Sequence, residues 1–94
     1  VLINSAHATV PAIVARMPYN PVSDFVGVAV AGFSPHVLVV TPRLPAQDAR
    51  ALVALLKANP DRYNMGTAGI GSGVHLAAEL FRSITEVKPE LVHY

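Results

Sequence analysis

The sequence predicts an α/β domain, because segments with helical periodicity alternate along it with short runs rich in β-branched residues. Two segments, 49–58 and 72–83, carry apolar residues three and four positions apart, as the buried face of a helix requires. Short apolar runs lie around them, of which FVGVAVA at 25–31 is the longest. The alternating order of these elements is typical of a sheet with at least some parallel strands.

The first half of the chain is predicted to hold three strands and one short helix. Strands are predicted over 1–3, 25–31 and 36–41, where valine and leucine predominate. A helix is predicted over 8–16, in which Pro11 is tolerable only near the first turn.

The second half is predicted to contain two longer helices and two short strands. Asp48 is the expected N-cap of the helix over 49–58. A strand over 63–66 leads into a glycine-rich loop, and Ser72 caps the helix that follows. A final strand is predicted over 91–93. The buried face of the second helix is predicted to consist of Ala77, Leu80, Phe81 and Ile84.

Composition narrows the class of protein. With 94 residues the chain has room for one small domain, yet 52% of it is hydrophobic and only 14% is charged. That hydrophobic content is high for a small domain, so the sequence is interpreted as a fragment of a larger protein. Seven scattered Lys and Arg residues and a net charge of +1 argue against a nucleic-acid partner. The absence of cysteine excludes disulfides and thiolate metal sites.

The stretch GTAGIGSGVH at 66–75 holds four glycines and runs directly into the predicted helix. A glycine-rich loop before a helix is a common anion site, because free backbone N–H groups and the helix dipole favour negative charge. The dinucleotide fingerprint GxGxxG fails at Val74, the phosphate loop GxxxxGK[ST] fails at Ser72, and the esterase motif GxSxG fails at Ile70. What remains is a cradle without a cation, suited to a carboxylate held by backbone N–H groups and by the hydroxyls of Thr67 and Ser72. A plain turn of the chain is the alternative.

Three further polar residues are weaker candidates. His75 lies in the first turn of the predicted helix, where it either faces the anion site or only packs or caps. Ser5 and His7 lie in a polar break and are interpreted as ligand contacts, with capping of the following helix as the alternative. His75 and Glu79 have the i, i+4 spacing of a metal pair, but no third ligand is apparent. The sequence therefore predicts no metal and no other cofactor.

Two other functions stay open on the sequence alone. A hydrolase would use Ser72 as nucleophile and His75 as base, but the elbow motif fails and no carboxylate is placed to orient His75. The other alternative is a structural or interaction fragment whose loop binds nothing.

Several motifs, in order, resemble the Bug family, the extracytoplasmic solute receptors of tripartite tricarboxylate transporters. The family has PYDPxxDF, VLVVxPxLPA and SSGxGTxxHLAxELF followed by VHVPYKG. This chain has MPYNPVSDF at 17–25, a run that begins VLVVTPRLPA and extends over 37–81, and LVHY at 91–94. INSAHATVPAI at 3–13 is similar to the family's loop of small hydroxyl residues and histidine.

The chain departs from the family pattern at several positions of its second half. Thr67 and Ala68 stand in place of a pair of serines, Ser72 stands in place of threonine, and Asp61 stands in place of glycine. Hydroxyl chemistry is kept at Thr67 and Ser72, so the departures bear on which ligand is preferred.

The resemblance implies a fragment of a two-lobed type II periplasmic-binding-protein fold. The family's receptors are periplasmic, bind a small organic acid without catalysis and deliver it to membrane transporter subunits. By the same resemblance, 1–40 is part of the first lobe, 41–94 begins the second, and the chain crosses between them near 40–45. The ligand contacts that it implies across the cleft are Ser5, His7, Thr67, Gly69, Gly71, Ser72, Gly73 and His75.

The isolated chain is expected to be incomplete as a folded body. Its predicted strands over 26–31 and 37–40 would lack the segments that cover both their faces. We therefore expect it to belong to a larger body or to associate with copies of itself.

Overall fold

The computed structural model describes residues 1–94 and contains three helices and one two-stranded sheet. In chain order the elements are α1 (Ser5–Ile13), α2 (Ala49–Ala58), β1 (Asn64–Thr67), α3 (Gly73–Thr85) and β2 (Glu90–His93). The predicted α/β character is confirmed for the second half of the chain, which holds all of these elements except α1.

The two strands lie side by side and run parallel, with α3 connecting them. Their register pairs Asn64 with Glu90 and Thr67 with His93. Parallel neighbours need a long crossover connection, which the 13 residues of α3 provide here. Both strands that the sequence predicts in this half are confirmed within one residue of their expected bounds.

A small apolar core lies between α2 and the segment that leads from α3 to β2. Leu52 and Leu56 of α2 are buried against Val87, and Phe81 of α3 packs on the same cluster. Burial of a side chain such as leucine stabilises a fold by about 1.5–3 kcal/mol, so this cluster anchors α2 to the rest. The predicted helix over 49–58 is confirmed, and Leu52 and Leu56 of its predicted apolar face are buried, whereas Ala49 at its start is exposed.

Asp48 caps α2 as predicted, with its Oδ1 accepting a hydrogen bond of 2.7 Å from the backbone N–H of Ala51. We expect Asp48→Ala to lower the free energy of unfolding by about 1 kcal/mol, because that N–H loses its partner. Thermal or urea unfolding of the full-length protein measures the change. Asp61→Ala is the matched control, since the Asp61 carboxylate makes no hydrogen bond within the chain. Equal effects of the two substitutions would contradict this role for Asp48.

Helix α3 begins after Ser72 as predicted but buries a different face. It extends to Thr85 and ends at Glu86, whose φ of 58° places it in the left-handed region. Ala78 is buried, whereas Leu80 and Ile84 are 59% and 72% exposed. The predicted apolar face is therefore wrong for Leu80 and Ile84, and also for Ala77, which is exposed, because no segment of residues 1–94 packs against that side of the helix. Of the four predicted residues, Phe81 packs on the core.

Helix α1 spans Ser5–Ile13, so the predicted bounds of 8–16 are wrong. Asn4 supplies the cap that sets its start, with Oδ1 accepting from the N–H of Ala6 at 3.0 Å. Pro11 lies inside the helix rather than in its first turn. Its missing N–H leaves the carbonyl of His7 without its intrahelical partner.

The strands predicted over 1–3, 25–31 and 36–41 are absent, and these predictions are wrong for residues 1–94. No backbone hydrogen bond joins residues 25–40 to any other part of the chain. Val28 is 96% exposed and Val39 is 79% exposed. A strand exists only where a neighbouring strand accepts and donates its hydrogen bonds, and no neighbour lies beside these segments.

An apolar groove of 470 Å³ separates the segment 36–41 from the rest of the molecule. The open edge of β1 and the apolar side chains of α2 and α3 form its other walls.

No helix in the structure has the length and apolar character needed to cross a membrane.

Candidate ligand-binding site

The glycine-rich loop joins the carboxyl end of β1 to the N-terminus of α3. Gly69 and Gly71 both have φ of 83°, in the left-handed region that residues with a side chain adopt only under strain. The sequence Gly-x-Gly is therefore required for the path of this loop. That path brings the loop back over the first turn of α3.

Ser72 holds the loop and the helix together through its hydroxyl. Its Oγ accepts a hydrogen bond of 3.1 Å from the N–H of His75 and donates one of 2.9 Å to the carbonyl of Gly69. The N–H groups of Gly73 and Val74 make no hydrogen bond within the chain. Two backbone donors at the positive end of a helix of 13 residues are thus unpaired within the chain.

Thr67 lies beneath the loop and is only 4% exposed. Its Oγ1 lies 2.6 Å from Nδ1 of His93, the residue that it faces in the parallel register of β1 and β2. The structure therefore pairs the Thr67 hydroxyl with β2. His93 was not singled out from the sequence, because only the register of the two strands brings it there.

His75 is engaged on both sides of its ring. Nδ1 accepts a hydrogen bond of 3.1 Å from the N–H of Gly71, and Nε2 lies 3.8 Å from Oε1 of Glu79. Glu79 also accepts a hydrogen bond of 3.0 Å from Arg82. The ring of His93 packs edge-on against His75, with 4.8 Å between centroids. No group of three or more His, Cys, Asp or Glu residues is close enough to hold a metal ion.

Helix α1 packs directly on this loop. Thr9 donates a hydrogen bond of 2.9 Å from Oγ1 to the carbonyl of Gly71. Ser5 lies against Gly73 so closely that a Cβ on Gly73 would stand 3.3 Å from the Cβ of Ser5. The same added Cβ would stand 2.9 Å from the ring of His36. These contacts place Ser5 at the glycine-rich loop, as well as Thr9 and His36. Thr9 and His36 lie far from the loop in sequence, and no motif in the sequence around them indicates this contact.

His7 faces away from the glycine-rich loop. Its Nε2 donates a hydrogen bond of 2.7 Å to the carbonyl of Pro21. Its ring packs edge-on against Phe25, and Tyr19 stacks parallel to it at 6.3 Å. The structure thus places His7 in an aromatic cluster with Tyr19 and Phe25 and does not bring it together with the loop residues.

The arrangement of Ser72 and His75 does not activate a nucleophile. A serine nucleophile needs its Oγ hydrogen-bonded to a ring nitrogen of the base. The Ser72 hydroxyl instead donates to Gly69, and the ring of His75 accepts from Gly71. Nothing in this geometry favours the hydrolase alternative.

Comparisons with known proteins agree with one another. The sequence profile of the family described as "Tripartite tricarboxylate transporter family receptor" matches residues 1–94. The chain is 36% identical over 78 residues to the "UPF0065 protein in tcbD-tcbE intergenic region" of Pseudomonas sp. (strain P51), covering 83% of this chain and 23% of that protein. It is 35% identical over 78 residues to "Protein BugT" of Bordetella pertussis, covering 83% of this chain and 24% of that protein.

A third relative extends the match over more of the chain. The "UPF0065 protein in the TAR-I ttuE-ttuC' intergenic region" of Agrobacterium vitis is 31% identical over 87 residues, covering 93% of this chain and 25% of that protein. No solved structure matches the chain. The chain spans about a quarter of the length of the curated relatives that it matches.

Proposed function

Since this chain belongs to the tripartite tricarboxylate transporter receptor family, we propose that the whole protein is a periplasmic solute-binding receptor. It captures a small organic acid and delivers it to the membrane subunits of a tripartite tricarboxylate transporter. It acts by binding and release, without catalysis and without a resident cofactor.

The observation that carries this proposal is the pair of open N–H groups at the start of α3. Gly73 and Val74 present two backbone donors at the positive end of the helix dipole. No lysine or arginine lies between residues 63 and 81 of the sequence, so the cradle offers hydrogen bonds and a partial charge rather than a full one. A carboxylate suits such a site better than a triphosphate, which is ordinarily held by lysine or magnesium.

The ligand contacts that we propose come from both ends of the chain. The loop provides Thr67, Gly69, Gly71, Ser72 and Gly73, α1 provides Ser5 and His7, and His75 lies beside these contacts in the first turn of α3. The contact between Ser5 and Gly73 supports this assignment, because it already places the first turns of α1 and α3 side by side.

The chain is proposed to be divided between the lobes of the complete protein. We propose a two-lobed type II periplasmic-binding-protein fold, in which 1–40 is part of the first lobe and 41–94 begins the second. The turn in which Leu44 N–H donates to the carbonyl of Thr41 at 3.0 Å lies at the proposed crossing near 40–45. The prolines on either side of Leu44 keep this crossing locally stiff while the lobes move.

Ser72→Ala tests the site in the full-length receptor. We expect it to weaken binding of an organic acid by about 1–2 kcal/mol. The substitution removes the hydrogen bond from the Ser72 hydroxyl to the carbonyl of Gly69, and it removes the cap of α3. Calorimetry measures the change, with an acid chosen by thermal-shift screening of the wild-type receptor. Ser72→Thr is the matched control, since it keeps the hydroxyl and is expected to bind normally. Unchanged affinity for Ser72→Ala and Thr67→Ala alike would contradict the assignment.

A further inference from the structure

His75 acts on the loop through one ring nitrogen. Its Nδ1 accepts the hydrogen bond from the Gly71 N–H, so this nitrogen carries a lone pair and the proton of the neutral ring is on Nε2. The ring of His93 packs edge-on against the ring of His75, and His93 is itself joined to Thr67. A residue of β2 that is hydrogen-bonded to β1 thus lies beside the ring that accepts from Gly71.

Gly71 is the point of the loop where most of these restraints meet. Its carbonyl accepts from Thr9 of α1, its N–H donates to His75 of α3, and its φ is 83°. The open donors of Gly73 and Val74 follow it by two and three residues. Any rotation of the peptide at Gly71 therefore changes the direction of the groups proposed to hold the carboxylate.

The charged groups near His75 lie on the Nε2 side of its ring, opposite the nitrogen that accepts from Gly71. Glu79 faces Nε2 at 3.8 Å, and Arg82 is bound to Glu79 at 3.0 Å. Only 15% of the His75 side chain is exposed. The ring thus has one nitrogen on the loop and the other toward the carboxylate of Glu79.

We propose that His75 is a positioning residue for the ligand site, holding the Gly71 N–H with Nδ1 and not itself contacting the organic acid. This inference rests on the proposed function for its effect on affinity, but the hydrogen bond itself can be tested without ligand. A direct ligand contact would instead use Nε2, the nitrogen that does not hold the loop.

Two substitutions separate these roles. In His75→Asn the amide oxygen takes the position of Nδ1, whereas in His75→Gln the polar atoms reach the position of Nε2. We expect His75→Asn to keep the affinity of the full-length receptor for a dicarboxylate probe, succinate, within about twofold of wild type. We expect His75→Gln and His75→Ala to weaken it by about threefold to tenfold, as loss of one hydrogen bond predicts.

Nuclear magnetic resonance of the ligand-free receptor gives the second readout. With ¹⁵N-labelled histidine and glycine, we expect the Nε2–H tautomer of His75 and a slowly exchanging Gly71 amide. That protection is expected to persist in His75→Asn and to fall in His75→Gln, with melting temperatures checked for both. An Nδ1–H tautomer in the wild type, or affinity kept by glutamine and lost with asparagine, would overturn the proposal. If succinate binds neither the wild type nor any variant, the affinity measurement counts against the proposed function only. The exchange rates of the Gly71 amide then still decide the role of His75.

Discussion

Gly73→Ala in the full-length receptor is expected to weaken binding of an organic acid by about tenfold or more. A Cβ at this position would overlap the hydroxyl of Ser5 and stand 2.9 Å from the ring of His36. The hydroxyl can rotate away, but the Cβ of Ser5, at 3.3 Å, is fixed to the backbone of α1. The first turns of α1 and α3 must therefore move apart by a few tenths of an ångström, which shifts the ligand contacts that we propose they share.

Helix propensity predicts the opposite result for Gly73→Ala, so the experiment distinguishes the close contact with Ser5 from an effect of propensity. Alanine is favoured over glycine in a helix by about 1 kcal/mol, so propensity alone predicts a more stable receptor with normal binding. Calorimetric titration together with thermal unfolding distinguishes the two outcomes. Lys57→Ala is the control, because Lys57 is exposed in the last turn of α2 and lies outside the segment 25–40. Normal affinity in Gly73→Ala would show that Ser5 and the loop do not share a ligand.

The isolated 94-residue chain is expected to self-associate in solution. The segment 25–40 exposes many apolar side chains and makes no backbone hydrogen bond, and the edge of β1 beside the apolar groove is open. Covering each valine or leucine is worth about 1.5–3 kcal/mol, and unpaired backbone groups of strand-like segments add a second drive to pair. In the whole protein we propose that other segments cover these residues.

Sedimentation velocity over a range of concentrations measures this association. Val28→Lys combined with Val39→Lys is expected to shift the distribution toward monomer, because charge on the exposed segment opposes its burial. Leu2→Lys combined with Val22→Lys is the matched control, since it adds the same charge at two exposed residues outside that segment. A sharp monomer peak for the unmodified chain, with tight binding of an organic acid, would contradict both the expected association and the proposed two-lobed fold.

Local sequence determined where the helices and strands of the second half lie, though not which face α3 buries. Asp48 and Ser72 cap the helices that were predicted to follow them, since a cap depends only on residues two or three positions away. Leu52 and Leu56 are buried because their spacing places them on one face of α2. The glycines of the loop were recognisable for the same reason, as positive φ is a property of the single residue.

The tertiary structure alone decided the rest. The runs at 25–31 and 36–41 have the composition of strands, but a strand requires a partner, and whether one is present is not written in the run itself. Thr9 meets Gly71 across 62 positions of sequence, and His93 meets Thr67 only through the parallel register. The sequence predicted the glycine-rich loop and the helix that follows it, whereas the contacts of α1, α3 and β2 around Gly71 depend on the tertiary structure.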